Sequence, residues 1–380
     1  MKPIRIIGSL IILMAFSSPA QDIQHEALAV NIEVAVRVFK GDEFIDHLTL
    51  RDFEVLEDGI PQDIAAVYLV RNATVEREEK AAASPELQRP PTQRNFVLAF
   101  EVINWLPRIR DSLDYFFRQV LQPEDSLIIT TPLKTYRLTP AALERKPTNQ
   151  ILAELTSLLK RDIANGNREY KSMIRDLQSV DRMVGPGYSS GRLKEDLFRK
   201  IRDYKYFDER KFQAFAECLK DLEGQKHVFF FYQREKIPVP KHMVDSMELM
   251  ARDSVFDVDR IKRLFSDSTI TTHFLFLTKQ LEGLSDVRIF NPDIDRLPLS
   301  DQSYAIFKPF HEITRTTGGI TTASANPLYA FKRAADASQN YYLLYYSPGN
   351  YVADGKFHKI KVRVRSGRYR VFHRAGYIAD

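Results

Sequence analysis

Four stretches of the 380-residue chain place reactive side chains where they could do chemistry. The first is "RNFVLAFEVINWLPR", residues 94 to 108, where an apolar run ends in one acid, Glu101, before the chain turns at Trp105, Leu106 and Pro107. A carboxylate at the carboxyl end of a buried strand is where open α/β sheets put metal and ligand sites. The second, "GYSSG" over 187–191, fits the nucleophile pattern G-x-S-x-G with Ser189 at its centre. That chemistry needs a strained turn between a buried strand and a helix. The preceding "RDLQSVDRMV" is a charged helical pattern, so a helix connector accounts for the glycines better than a serine hydrolase does. The third, "HEITR" over 311–315, opens like a zinc helix but has Arg315 where the second histidine would stand.

The fourth is "KIKVRVRSGRYRVFHR", which reads as a hairpin turning at Ser366 and Gly367. In that register Arg365 faces Arg368 and Arg363 faces Arg370, while Val364 and Tyr369 point to the other face. Like charges directly opposite destabilise a sheet, so the four arginines ask for an anion: an acidic partner, or acids such as Glu54 and Glu57. The alternative is a solvated face that guards an edge strand from unwanted pairing.

Other residues of reactive type read as core or surface. Gly185, Gly187 and Gly191 miss the G-x-G-x-x-G spacing of a dinucleotide site, and no P-loop occurs. His273, alone within "TTHFLFL", suits a hydrogen-bonded core histidine. Tyr341, Tyr342, Tyr345 and Tyr346 suit strand packing on both faces better than a recognition surface. Cys218, the only cysteine, lies in a helical pattern beside Phe215, Leu219 and Leu222, which predicts a buried, inert thiol. One cysteine allows no internal disulfide, so packing must supply the stability. Asn72 opens "NAT", a glycosylation pattern with meaning only in a glycosylating host.

Hydrophobic residues make up 44% of the chain, enough for a sizeable core and two domains, which excludes a disordered protein. Residues 1–20 carry Lys2 and Arg5, an apolar run from Ile6 to Phe16, then Ser18, Pro19 and Ala20. This describes an export signal cut after Ala20, with an uncleaved anchor as the alternative, and places the mature protein in the periplasm or outside the cell. No later stretch is long and apolar enough to span a membrane. Losing Lys2 and Arg5 takes the formal charge from +5 to +3, too mild an excess to argue for nucleic acid.

Residues 28–70 read as strands: Val30, Ile32, Val34 and Val36 alternate with less apolar neighbours, and Asp58, Gly59 and Pro61 supply turn chemistry. Residues 71–94, polar and rich in charge and proline, read as a linker. Strands and helices then alternate over 95–330, with a charged helical region at 160–222 ended by Gly224, which points to a doubly wound α/β domain. Residues 341–380 return to strands. Neither β-rich end has enough strands to close a sandwich alone, so the two are expected to pack together with the α/β domain inserted between them.

The order "LRDFEVLEDGIPQDI", a strand ending in an acid, "LEGQKHVFFFYQ", "ITRTTGGITT" and "YYLLYYSPGNYVADGKFHKIKVRV" with "RAGY" resembles the secreted bacterial von Willebrand factor type A (VWA) related family over most of the mature chain. The resemblance implies a VWA-like, Rossmann-like sheet whose ion site, where present, holds a divalent metal that grips a partner's carboxylate. Metal-binding VWA domains end their first strand in Asp-x-Ser-x-Ser; the corresponding residues here are Glu101, Ile103 and Trp105. A second loop should give a threonine, matched by Thr139 or Thr148, and a third an aspartate, where the chain offers Gln233, Arg234 and Glu235. Magnesium wants a tight octahedron of oxygens, which isoleucine and tryptophan do not supply. The resemblance therefore implies a degenerate site with no metal and no cofactor, and Glu101 is expected to accept backbone amides or pair with an arginine such as Arg234. The function expected is a non-enzymatic, adhesion-type interaction with an unidentified protein or envelope component. The alternative is a Mg- or Mn-dependent module that rebuilds the site from Glu101, Thr139 or Thr148, and Glu235.

Overall fold

Segments in which buried and exposed side chains alternate become antiparallel strands, and the all-apolar runs become the middle of a parallel sheet. The structure, a computed structural model, describes residues 30–82, 93–183, 209–233, 258–277, 308–324 and 326–379, together with Leu193, Asp196, Leu197 and Lys200. Residues 1–20, Ser189, Arg234 and Glu235 lie outside the described residues. The strands are β1 (Ile32–Lys40), β2 (Glu43–Phe44), β3 (Phe53–Glu57), β4 (Ile60–Gln62), β5 (Ile64–Arg71), β6 (Thr74–Lys80), β7 (Arg94–Glu101) and β8 (Ser126–Thr130). They continue with β9 (Thr135–Leu138), β10 (Gln225–Gln233), β11 (Ile270–Leu277), β12 (Thr321–Ser324), β13 (Asn340–Tyr346), β14 (Phe357–Val364), β15 (Arg370–His373) and β16 (Gly376–Ile378). The helices are α1 (Arg108–Tyr115, continued by a widened turn over Phe116–Val120), α2 (Pro140–Arg145), α3 (Thr148–Gly166) and α4 (Arg168–Met183). After them come α5 (Glu209–Lys220), α6 (Val258–Leu264), α7 (Lys308–Thr317) and α8 (Pro327–Gln339).

The protein is mixed α/β, and its described residues form three sheets. One antiparallel sheet runs β15-β1-β13-β5-β6 with β2 on β1, and a second runs β16-β14-β3-β4, so strands from both ends of the chain pair in each. The two sheets share a core in which Val34, Val36, Tyr342 and Tyr346 meet Phe53, Val55, Ile360 and Val362. Strand alternation splits the tyrosines of β13: Tyr342 and Tyr346 enter this core, while Tyr341 and Tyr345 join Tyr68 and Leu343 on the opposite face. Two of the hydroxyls are tied down inside. Tyr342 donates to Ile45 O (2.9 Å), and Tyr346 donates to Glu57 (2.6 Å), which Tyr377 also reaches (3.2 Å).

The third sheet runs β12-β11-β10-β7-β8-β9, parallel except for β9 at its edge. Every residue of β11 is buried, as a strand covered on both faces requires. Helices α1, α3 and α8 cover one face through Ile109, Leu113, Leu155, Leu159 and Phe331, and α5 and α7 cover the other through Ala216, Leu219, Phe310 and Ile313.

The antiparallel sheets pack on the amino ends of the parallel strands. Arg37 of β1 is the polar pin of this junction: it is 1% exposed, donates to Ala337 O (2.5 Å) and Gly318 O (3.1 Å), and lies over the Tyr341 ring. Burial lowers its pKa to about 10. Gly319 is required beside it, because a Cβ there would stand 1.7 Å from Thr272 O.

Three expectations are corrected. The stretch that reads as linker holds β6, paired with β5 through a turn in which Asn72 and Ala73 take positive φ. Its residues alternate exposed and half-buried, and its charges suit an edge strand, which must discourage further pairing. The arginine hairpin does not form: β14 pairs with β3 and β16, while β15 crosses to the other sheet and pairs with β1. Cys218 is exposed, because Ala216 and Leu219 take the inner face of α5.

Candidate functional site

Strand order in the parallel sheet reverses between β7 and β10, and the carboxyl ends of such neighbours form the crevice where doubly wound sheets bind ligands. Glu101 closes β7 opposite Tyr232 of β10 and is exposed. Beyond it the chain crosses the crevice as Val102, Ile103 and Asn104. Gln233, the last residue of β10 and fully buried, accepts hydrogen bonds at Oε1 from the backbone amides of Ile103 (3.2 Å) and Asn104 (2.9 Å). From the other side, Asn167 donates through Nδ2 to Val102 O (3.0 Å) and to Ile163 O (2.8 Å) at the end of α3. Two carboxamides thus satisfy the backbone of a loop that would otherwise carry buried unpaired groups. The Ile103 and Asn104 amides, next along the chain from Glu101, are taken by Gln233.

The side chains at the two other strand-end positions belong to packing. Ile103 is 1% exposed and inserts among Tyr170, Met173 and Leu177 of α4. Trp105 is half-buried against the α1 and α3 core, and Lys160 Nζ lies 5.4 Å over its ring. Neither threonine joins Glu101. Thr139 follows β9, whose last residue pairs with Leu127 at the amino end of β8, and Thr148 starts α3, about 28 Å of helix away from Asn167. A hydroxyl just past the carboxyl end of β8, that of Thr131, donates to the buried Asp162 (3.1 Å), as does Tyr136 (2.6 Å). Asp162 occupies the i+7 place of the Leu155–Leu159 stripe, the signal that an acid there is buried.

The four arginines separate. Arg363 stands across from Glu54 in β3, 3.7 Å away, and Arg370 bonds Gly41 O and reaches Asp42 (3.3 Å). Arg365 and Arg368 are exposed between the strands. Arg363 alone of the four lines a cleft of about 1040 Å³ between β14 and helices α6 and α7.

Histidines occupy the amino end of the parallel sheet. His273 accepts the Ile320 amide at Nδ1 (3.2 Å) and stacks on Phe229. His227 stacks on Phe96, and among the described residues neither of its ring nitrogens has a hydrogen-bond partner. Burial, then the nearby charge of Arg37, pushes both pKa values well below the usual imidazole range. These are neutral core groups.

Among the described residues no group of three or more His, Cys, Asp or Glu side chains is arranged to hold a metal ion, and no helix is long and apolar enough to cross a membrane. No protein-family model matches the chain, and no curated protein matches it.

Proposed function

We propose that the protein is an exported, non-enzymatic interaction protein: a VWA-like α/β module with a degenerate ion site, carried on the antiparallel sheets built from both ends of the chain. The sheet order, with its antiparallel edge strand and its switch point between β7 and β10, supports the VWA-like reading. The observation that carries the degenerate site is the Gln233 carboxamide. It is one of the three residues, with Arg234 and Glu235, that the resemblance offers for the third-loop acid, and it spends its oxygen on the Ile103 and Asn104 amides. Ile103, turned into the α4 core, puts an apolar side chain where the first hydroxyl ligand of a metal site would stand.

Titration calorimetry of the full chain with magnesium and with manganese tests this reading, and no saturable heat is expected. Saturable binding that disappears in Glu101→Ala would replace it with a metal-dependent binding module. Export is tested by sequencing the amino terminus of protein recovered from the periplasm or medium; a chain that starts at Gln21 is expected, and one that retains residues 1–20 would overturn export by cleavage.

A further inference from the structure

The cleft between β14 and helices α6 and α7 presents a regular comb of cations. Lys359, Lys361 and Arg363 are exposed at alternate positions of β14, while Ile360 and Val362 between them are buried in the core. Alternate residues of a strand stand about 7 Å apart on one face. The opposite wall adds Lys262 and Arg315, so lysine and arginine outnumber acids among the lining residues by five to two, the acids being Asp58 and Glu312. Apolar Leu56, Val371 and Phe372 also line the cleft.

The cations of β14 are not consumed within the fold, whereas Lys262 on the opposite wall pairs with Asp259 (3.1 Å) and lies over the Phe357 ring. Among the described residues, Lys359 and Lys361 have no ion pair. Arg363 meets Glu54 only at 3.7 Å with its side chain 52% exposed, and such a surface pair competes weakly with a ligand. Arg315 stands 3.7 Å from Glu312 and is 69% exposed. Backbone pairing is not what the comb offers, because the Val362 amide is already bonded to His373 Nε2 (3.2 Å).

We infer that this cleft binds an extended acidic peptide segment whose carboxylates fall at alternate residues, matching Lys359, Lys361 and Arg363. An extended chain repeats its side chains on one face with the same spacing as β14, so three carboxylates and three cations stay in register. Residues between the acids turn to the other side of the segment, away from the comb. The two acids in the cleft disfavour a continuous polyanion such as nucleic acid, which carries a charge on every unit and has no gap to place against Asp58 or Glu312. This inference rests on the reading of the chain as an interaction protein and gives that partner a chemistry.

The test is fluorescence anisotropy on the full chain, with a short labelled peptide in which glutamate alternates with threonine and valine. A peptide of identical composition with its glutamates in one block, and a single-stranded oligonucleotide, serve as competitors. Saturable binding of the alternating peptide is expected, weakened about tenfold in Lys359→Gln/Lys361→Gln and by raising salt to about 0.3 M. Arg315→Glu, a change on the helical wall, should weaken it independently. Absence of saturable binding, equal affinity for the block isomer, unchanged affinity in both variants, or tighter binding of the oligonucleotide would each overturn the inference. None of these outcomes bears on the calorimetry at Glu101, so the two readings fail separately.

Discussion

Two histidines buried beneath the junction of the sheets should make this protein acid-labile well above the carboxylate range. His227 and His273 stay neutral in the fold because burial, then the charge of Arg37, disfavours their cations. In the unfolded chain each titrates near the ordinary imidazole value of about 6.5. As pH falls below that value, the unfolded state takes up protons that the native state cannot, so stability is lost downward from about pH 6.5 towards the depressed native pKa. One proton difference is worth about 1.4 kcal/mol per pH unit, so these two groups together approach about 3 kcal/mol per unit at their steepest. His373, also lowered by burial first, adds to the same slope.

The perturbation is His227→Phe with His273→Asn. Phenylalanine keeps the stack on Phe96 and costs no hydrogen bond, since neither His227 nitrogen is bonded among the described residues. Asparagine keeps an acceptor near the place of the Nδ1 that receives the Ile320 amide. Losing the stack on Phe229 lowers stability at every pH by about 1 kcal/mol without changing the slope. Urea unfolding between pH 7.5 and 5 should show the parent losing stability steeply below about pH 6.5 and the double variant losing about 4 kcal/mol less over the whole range. A parent whose stability is flat across this range, or a double variant with the parent's slope, refutes the reasoning.

Gln233→Leu strips the acceptor from the Ile103 and Asn104 amides, so urea unfolding should show a loss of about 2 kcal/mol or more, whereas Gln233→Glu keeps an acceptor but buries a charge and should lose at least as much. Asp125→Ala leaves Arg94, 1% exposed and bonded to that carboxylate at 2.6 Å, as a buried unpaired cation; a destabilisation of about 3–5 kcal/mol is expected, and less than about 1 kcal/mol would show that the pair is hydrated. Cys218 should react in the folded protein with a chromogenic disulfide reagent at the rate of an exposed thiol, and protection until denaturant is added would contradict its placement outside the α5 core.

What was legible in the sequence is what side-chain periodicity records. The alternation of Val34 and Val36 and the unbroken run of β10 mark strands because burial on one or both faces is their cause. Strand β6 escaped because an edge strand with charges on it carries no apolar pattern, and Asn72-Ala73 makes its turn without the usual glycine. The Ser366–Gly367 turn misled for a different reason: the same turn chemistry joins two strands of one sheet or carries the chain between two packed sheets, and only the partners of β14 and β15 decide. At the site, Glu101 is visible as the last residue of an apolar run. Gln233 is visible only as a stand-in for an acid, and its role and that of Asn167 are not, because each bonds a backbone group that lies 130 or 65 residues away in sequence, and local composition says nothing of such partners.

The placement of polar groups then argues for where recognition occurs. At their amino ends, the parallel strands meet the antiparallel sheets through Arg37, with its donors spent on Ala337, Gly318 and Thr271. At their carboxyl ends, the switch-point crevice is crossed by residues 102–104, whose backbone is satisfied by Gln233 and Asn167. A group that has its hydrogen bonds inside the fold gains little from a ligand, because binding would exchange one satisfied contact for another. The comb of Lys359, Lys361 and Arg363 is the opposite case: its charges are held apart at fixed spacing by a strand whose alternate residues are locked in the core. An acidic segment would meet cations whose backbone positions are already fixed, so the ordering cost on this side is confined to the three side chains. The same rigidity makes spacing, rather than total charge, the property by which this surface discriminates.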